Sequence, residues 1–357
     1  MASRAQCMEI RRNLPKDRCI PTLDGWRGVA VLLVLMSHFE GGYFSSRSWG
    51  GSIFNTGQHG VQIFFVLSGY LITTTLLYEE KVHLGRFYVR RFFRLMPAAW
   101  AYLLVLALLT AFTRMKAIGN DAWACLLFFR NYVGETTANT CTEHFWSLSL
   151  EEQFYLAWPP ILALLGRRWA GFAAALAAVT IGVYRFFFID AAHNFFAFQH
   201  TEFRADGLLV GCLLALLLQR ESVRASFVRY GRPVFWGSLA VFAWDLYRYT
   251  VNGHMTLNES VVIALLLAST SIQPAALPGR LLESQHLKAI GIMSYSIYLW
   301  QGLFFRANWG IYGPFLFAAS FMLSWRFLEQ PGIKLGRRLL ATRSPKSAQA
   351  DPVTLSS

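Results

Sequence analysis

Charged residues are scarce in this 357-residue chain, since Asp, Glu, Lys and Arg together make up only 15% of it. Hydrophobic residues account for 55% and aromatic residues for 16%. An ordinary soluble domain carries about 25% charged residues, so this composition excludes that class and predicts a chain surrounded by lipid. Apolar segments near the ~20 residues that cross a bilayer occur at 23–40, 60–78, 95–113, 150–166, 170–188, 204–219, 233–249, 257–273, 289–306 and 309–328. The predicted fold is all-α, a polytopic membrane protein of about ten transmembrane helices.

Other features are missing as well. The five cysteines have no metal-ligand spacing, so we expect no metal site and no permanently bound cofactor. Residues 1–19 lack an apolar run, so we expect no cleavable signal peptide. No internal repeat is visible, which argues against a transporter built from inverted repeats. Cys125 and Cys141 fall in one predicted outer loop, where a disulfide is an open alternative.

The net charge of +13 is distributed unevenly between the predicted loops. With both termini in the cytoplasm, 23 of the 33 lysines and arginines lie on that side and five on the other. This is the positive-inside bias of membrane proteins, so the basic charge indicates topology and predicts no nucleic-acid partner. We divide the chain into a basic N-terminal tail (1–19), a transmembrane domain (20–335) and a basic, partly disordered tail (336–357).

The first predicted span carries ionisable residues, which are expensive within lipid and are functional candidates by default. Asp24, Arg27 and His38 share roughly one helical face, and Val31 and Val34 lie between them. Arg27 and His38 are separated by about 16 Å along the axis. The alternative is that Arg27 extends toward the membrane surface and His38 marks the opposite interface.

Arg90, Arg91 and Arg94 form a second candidate, in the segment "GRFYVRRFFRLMPAAW". Like charges at this spacing repel one another on a helix. A bound phosphate ligand would relieve that repulsion, because guanidinium groups pair well with phosphates. The alternative is that these arginines bind no ligand and only anchor the helix end on the cytoplasmic side of the membrane.

Two further groups lie near predicted outer helix ends. Glu151 and Glu152, in "HFWSLSLEEQFYLAWPP", are expected at a depth similar to that of His38, where a carboxylate could orient an imidazole. The alternative is an acidic first turn favoured by the helix dipole. Arg204 and Asp206, in "TEFRADGLLVGCLLA", are substrate-site candidates or members of a structural ion pair.

Seven segments of the sequence occur in an order that resembles one known family. They are "LDGWRGVAVLLVLMSH", "QIFFVLSGYLIT", "FYVRRFFRLMPAAW", "FWSLSLEEQFYLAWP", "FRADGLLVGCLLA", "SYSIYLWQ" and "LEQP". Together they are similar to the integral-membrane acyltransferase family 3 from about residue 20 to about residue 335. The resemblance implies an enzyme of the bacterial cytoplasmic (inner) membrane that moves an acyl group, commonly acetyl, from cytoplasmic acyl-CoA to a hydroxyl of an extracytoplasmic saccharide.

The same resemblance implies roles for individual residues. His38 is the expected catalytic residue, as general base or as transient acyl carrier, with Arg27 stabilising charge along the path and Glu151 steadying the imidazolium. Arg91 and Arg94, with Arg90 adjacent, are expected to hold the CoA phosphates. Asp24, Glu152, Arg204 and Asp206 complete the polar candidates. Gln301 stands where the family commonly has a histidine, so a proton-handling role there is in doubt.

The acceptor is left open by the sequence. Lipopolysaccharide O-antigen, exopolysaccharide and lipo-oligosaccharide all fit the expected partner, a saccharide or glycolipid met at the lipid bilayer. One alternative is an acyltransferase acting on a macrolide-type small molecule. The other is a secondary transporter in which His38, Glu151, Asp206 and Asp245 form a proton relay.

Overall fold

The computed structural model describes residues 21–43, 57–79, 82–113, 115–134, 140–188, 199–252, 258–306 and 309–342. Throughout these ranges the regular elements are helices, and no strand occurs in them. The predicted all-α class is therefore confirmed. The predicted N-terminal tail and the chain after residue 342 lie outside the described residues.

Fourteen α-helices follow one another in the described ranges. They are α1 (Pro21–Tyr43), α2 (Gly57–Tyr78), α3 (Leu84–Phe112), α4 (Ala122–Leu126), α5 (Phe145–Phe188), α6 (Thr201–Arg204), α7 (Asp206–Leu217), α8 (Glu221–Asn252), α9 (Glu259–Ile272), α10 (Leu277–Leu282), α11 (Gln285–Ile292), α12 (Ser294–Arg306), α13 (Gly313–Ser324) and α14 (Gln330–Thr342). A π-helical turn, Trp325–Glu329, connects α13 to α14.

Four stretches of helix in the described chain are long and apolar enough to cross a membrane: Gly57–Tyr78, Leu84–Phe112, Phe145–Arg185 and Gly310–Ala341. Two shorter helices, Asp206–Leu217 and Glu259–Ile272, are also apolar. Each of the ten predicted segments contains helix. The count of about ten spans and the cytoplasmic position of both termini stay predictions.

Helix α5 is divided into two halves at Gly166. This residue has φ +69° and ψ 170°, a conformation that glycine adopts without steric penalty. The break falls at the last residue of the predicted segment 150–166, just before the predicted segment 170–188. The long helix is therefore two consecutive apolar helices, as the sequence predicts.

Helices α2 and α7 pack backbone against backbone through two glycines. A Cβ atom on Gly69 would lie 1.9 Å from the carbonyl oxygen of Leu208, and one on Gly211 would lie 2.1 Å from that of Val66. Small residues allow membrane helices to approach this closely. Helix α1 packs on the other side of α2, and α5 packs against α7, so this pair lies inside the bundle.

Helix α1 is an internal helix that packs against α2, α11 and α12. Val31 and Val34 on its apolar face are 0% and 1% exposed. The Trp26 indole donates a hydrogen bond of 2.9 Å to the Thr270 hydroxyl of α9. The first half of α1, which carries Asp24 and Arg27, is thus packed against protein, whereas Leu32 and Met36 farther along the helix are exposed.

The disulfide considered between Cys125 and Cys141 is not present, because both residues are buried thiols. Each thiol packs within the same hydrophobic cluster as Phe145 and Tyr102. Burial, reinforced by the nearby Asp121 carboxylate, raises the pKa of the Cys125 thiol far above its usual range. Neither thiol is therefore suited to oxidation in the folded protein.

The close packing of α2 and α7 predicts a specific loss of stability when Gly211 is replaced by alanine. The added methyl group meets the Val66 carbonyl, and overpacking of this kind costs about 1–3 kcal/mol. We expect a lower thermal midpoint for the detergent-solubilised variant. Gly237→Ala on α8 is the matched control, since no atom lies within 4 Å of the added Cβ and alanine is the better helix former. Equal midpoints for Gly211→Ala and the unaltered protein would contradict the close helix contact.

The cysteine assignment is tested by alkylation without reductant. We expect Cys125 and Cys141 to resist iodoacetamide in the folded protein and to react fully after denaturation, because burial and not disulfide bonding protects them. Peptide mass spectrometry reads both states. A peptide pair linked through these two cysteines would show the assignment to be wrong.

Candidate functional site

Helix α1 holds three of the predicted site residues along its length. Arg27 forms an ion pair with Asp24 at 3.2 Å. His38 follows Arg27 by eleven residues of unbroken helix, or about 16 Å along the axis. We call the end of the bundle at which α1 begins the basic end, and the end near His38 the imidazole end.

The imidazole of His38 is held by its own helix. Its Nδ1 lies 2.8 Å from the Val34 carbonyl oxygen and 3.4 Å from the Ser37 hydroxyl oxygen. A carbonyl oxygen only accepts hydrogen bonds, so in this contact Nδ1 carries the proton and donates. The neutral ring then has its basic lone pair on Nε2. The backbone thereby selects the tautomer, and Nε2 is the nitrogen suited to act as a base.

Arg90 lies at the rim of the basic end. Its guanidinium donates to Glu79 at 2.8 Å, and its side chain is 39% exposed. Partial burial alone would raise the pKa of the Glu79 carboxyl, but hydrogen bonds from Arg90 and from the His83 backbone N–H lower it below its usual value. Arg90 is therefore a surface cation with a carboxylate partner.

Arg91 extends into the bundle. Its guanidinium stacks on the Tyr155 ring of α5, 3.6 Å from the ring centroid, and lies 3.9 Å from the Glu152 carboxylate. Its Nε is buried and has no hydrogen-bond partner among the described residues. A planar guanidinium fixed by stacking, with donors left over, is the geometry that proteins use to bind anions.

Arg94 has still fewer partners. Within the described chain its guanidinium forms no hydrogen bond or ion pair, and its Nε is buried. It interacts electrostatically with Arg27, Arg91 and Glu329. A guanidinium carries five N–H donors, so Arg94 presents an unsatisfied cationic fork inside the basic end.

The predicted depth of Glu151 is wrong. Its carboxylate accepts a hydrogen bond of 2.6 Å from Ser68, and its electrostatic neighbours are Arg91, Arg27 and Arg94. Helix α2 begins at the depth of His38, because Gly57 contacts the neighbouring Ser37. Ser68 follows Gly57 by eleven residues of helix and therefore lies about 16 Å closer to the basic end. Helix α5 begins at Phe145, and its first turns, up to Leu150, are buried in the bundle. The sequence prediction started this span at residue 150 and therefore placed Glu151 too close to the end of the helix.

Glu152 and Glu329 complete the carboxylates around the arginines. Glu152 faces Arg91. Glu329 is 2% exposed, accepts a hydrogen bond of 3.0 Å from Ser296, and interacts electrostatically with Arg94 and Arg27. Glu329 was not predicted as a site residue, although it lies in the quoted segment "LEQP". Its orientation depends on the π-helical turn Trp325–Glu329, which residue spacing does not reveal.

Arg204 and Asp206 belong to a separate polar network and do not pair with each other. Asp206 forms a buried ion pair with Arg185 at 2.8 Å and accepts a hydrogen bond of 2.6 Å from Ser260. Arg204 is fully buried and donates to Gln58 at 3.3 Å. Asp206 is thus a member of a structural ion pair, as one of the two predictions had it. Its partner is Arg185 of α5 and not the nearby Arg204.

The site thus consists of two sets of polar groups, one at each end of the apolar face of α1. The basic end brings Arg27, Arg91 and Arg94 together with Glu151, Glu152 and Glu329. About three helical turns away, the imidazole end presents Nε2 of His38. In the described ranges no three His, Cys, Asp or Glu side chains are grouped to hold a metal ion. This arrangement suits an anionic ligand at one end and proton transfer at the other.

Comparison with known proteins gives the family. The family model described as "Acyltransferase domain" matches residues 20–328. The chain is 28% identical over 365 residues to the peptidoglycan O-acetyltransferase OatA of Listeria monocytogenes, covering 89% of this chain and 56% of that protein. It is 27% identical over 376 residues to the O-acetyltransferase OatA of Staphylococcus aureus strain MRSA252, covering 93% and 60%.

The chain thus spans a little over half the length of these relatives. No solved structure matches it. The family model nevertheless covers most of the chain, including α1 with His38, the arginines of α3 and the glutamates of α5. The chain therefore belongs to the integral-membrane acyltransferase family 3.

Proposed function

We propose that this protein is a membrane-bound O-acyltransferase that moves an acetyl group from acetyl-CoA to a hydroxyl of a cell-surface saccharide. The observation that carries the proposal is the unsatisfied Arg94 guanidinium, set about three helical turns from an imidazole whose tautomer is fixed. The names of the two relatives support acetyl as the acyl group and peptidoglycan as the first acceptor to test. O-antigen, exopolysaccharide and lipo-oligosaccharide are the next candidates.

The donor would enter at the basic end. Arg94 and Arg91 have N–H donors that the described residues leave unused, and guanidinium forks bind phosphate oxygens with two parallel hydrogen bonds. Arg90 adds a cation at the rim. We assign the phosphates of CoA to these three arginines, with Glu151, Glu152 and Glu329 holding the inner guanidinium groups in place.

The pantetheine arm of CoA is about as long as the distance between the two ends of the site. Once the phosphates are held near Arg94, the arm would run along the apolar face of α1, past Val31 and Val34. Its thioester would then reach the depth of His38, about 16 Å away. The spacing of Arg27 and His38 thereby acquires a physical reason.

His38 would act as a general base at the thioester. Its Nε2 takes the proton of the acceptor hydroxyl while the hydroxyl oxygen attacks the thioester carbonyl carbon. The carbon–sulfur bond then breaks, and the departing CoA thiolate receives the proton from the imidazolium. Direct acylation of His38 is the alternative route.

Arg27 would stabilise negative charge along this path, although its ion pair with Asp24 already holds part of its hydrogen-bonding capacity. Glu151 has a different role from the one the sequence suggests, because it lies with the arginines and not with the imidazole. We place the protein in the bacterial cytoplasmic membrane, with the basic end and both termini on the cytoplasmic side.

Replacing His38 by alanine should remove the catalytic base. We expect acceptor-dependent release of free CoA from acetyl-CoA to fall at least about 100-fold, the scale of general-base catalysis. Thiol detection on purified protein with saccharide acceptors measures the rate. His286→Ala, an exposed histidine on α11, is the matched control and should retain activity. Retained turnover in His38→Ala would refute the assignment.

Replacing Arg94 by glutamine should weaken donor binding selectively. We expect KM for acetyl-CoA to rise about tenfold, the effect of one charge-assisted hydrogen bond, while KM for the acceptor stays within twofold. Initial-rate kinetics with each substrate varied in turn measure both constants. Arg229→Gln, an exposed arginine on α8, is the control. Equal losses for donor and acceptor would indicate a folding role instead.

A further inference from the structure

Gln301 is a buried polar residue without a protein partner in the described chain. Its side chain is 0% exposed, and neither its Oε1 nor its Nε2 has a hydrogen-bond partner among the described residues. Buried side-chain amides in folded proteins are almost always hydrogen-bonded. An amide with both its donor and its acceptor unused therefore points to a ligand that offers both.

Gln301 lies where several helices of the site meet. Its helix, α12, packs directly against α1, which carries His38. Tyr298 lies about one turn before Gln301 on α12. Its hydroxyl contacts the Ser147 hydroxyl of α5 at 2.5 Å, and its ring packs edge-on against Phe64 of α2. The next residue, Gly302, is in close contact with the His144 ring.

The depth of Gln301 follows from the same contacts. Phe64 is seven residues after Gly57, which contacts Ser37, so Tyr298 packs about 10 Å from the depth of His38 toward the basic end. From Tyr298 to Gly302, α12 advances toward the imidazole end, because Gly302 contacts His144 and Cys141, which precede α5. Gln301 thus lies between the arginines and His38, within about two helical turns of the imidazole.

We propose that Gln301 hydrogen-bonds the pantetheine arm of the acyl-CoA donor, at the amide nearest the thioester; this rests on the function proposed above. A secondary amide offers one N–H and one C=O, so a single ligand group satisfies both unpartnered atoms of Gln301. That amide is two methylenes from the sulfur, which matches a position just short of His38 on the basic side. A saccharide hydroxyl, entering from the imidazole end, would have to pass His38 to reach it.

The test compares two donors in each protein variant. One is acetyl-CoA, and the other is its analogue in which the amide nearest the sulfur is replaced by an ester, so that the N–H donor becomes an oxygen. For the unaltered protein we expect kcat/KM to be about tenfold lower with the ester analogue, the scale of one buried hydrogen bond. For Gln301→Met, which keeps the length of the side chain but removes its polar atoms, we expect the two donors to be used equally.

The controls separate this contact from a general effect on folding. Because each ratio is taken within one variant, a partial loss of folded protein cancels. Gln301→Asn, which withdraws the amide by one methylene, should also lose most of the discrimination and serves if the methionine variant does not fold. Gln62→Met, a buried glutamine that donates to Ser260 on α9, should keep the full tenfold ratio.

Two results would overturn the proposal. If the Gln301 variants keep the tenfold preference for acetyl-CoA, Gln301 does not contact that amide, although acyl transfer from CoA would stand. If the unaltered protein turns over neither donor with any saccharide acceptor, the proposed function fails and this contact fails with it.

Discussion

Removing a guanidinium from water is the constraint on which the basic end depends. A charge in a low-dielectric interior needs counter-charges close by, and Arg91 and Arg94 receive theirs from α5 and from the π-helical turn, through Glu151, Glu152 and Glu329. The ion pair of Arg27 and Asp24 adds α1 to the same cluster. One electrostatic requirement therefore ties together four elements that are far apart in sequence, at the place to which we assign the phosphates of the proposed donor.

Three polar groups of the site give the proposed reaction a direction. Arg94 is nearest the basic end, Gln301 is intermediate, and the Nε2 of His38 faces the chemistry at the far end. Between them the α1 face is apolar, which suits the carbon chain of a bound donor but not a free ion. The proposed donor contacts thus follow the polar groups of CoA in order, from phosphate to amide to thioester.

The helices and the residues of α1 could be predicted from sequence, because hydrophobic length and helical periodicity are local properties. The depth of Glu151 could not, since it depends on where α5 begins, and the buried turns from Phe145 onward resemble an interfacial segment. Glu329 was missed because a π-helical turn orients it. The Asp206 partner, Arg185, lies 21 residues away in sequence, a pairing that no local pattern encodes.

The glycine contact between α2 and α7 has a mechanical consequence. At Gly69 and Gly211, a carbonyl oxygen of one helix lies against the Cα atom of the other. Sliding or rotation of either helix would bring these backbones into collision, so we expect α2 and α7 to move together as a rigid pair. A transport motion in which two halves of the bundle rock around a central substrate would have to leave the contact between α2 and α7 intact. The proposed passage of a coenzyme arm beside α1 requires no such rearrangement, since it asks only that side chains packed against Val31 and Val34 move apart.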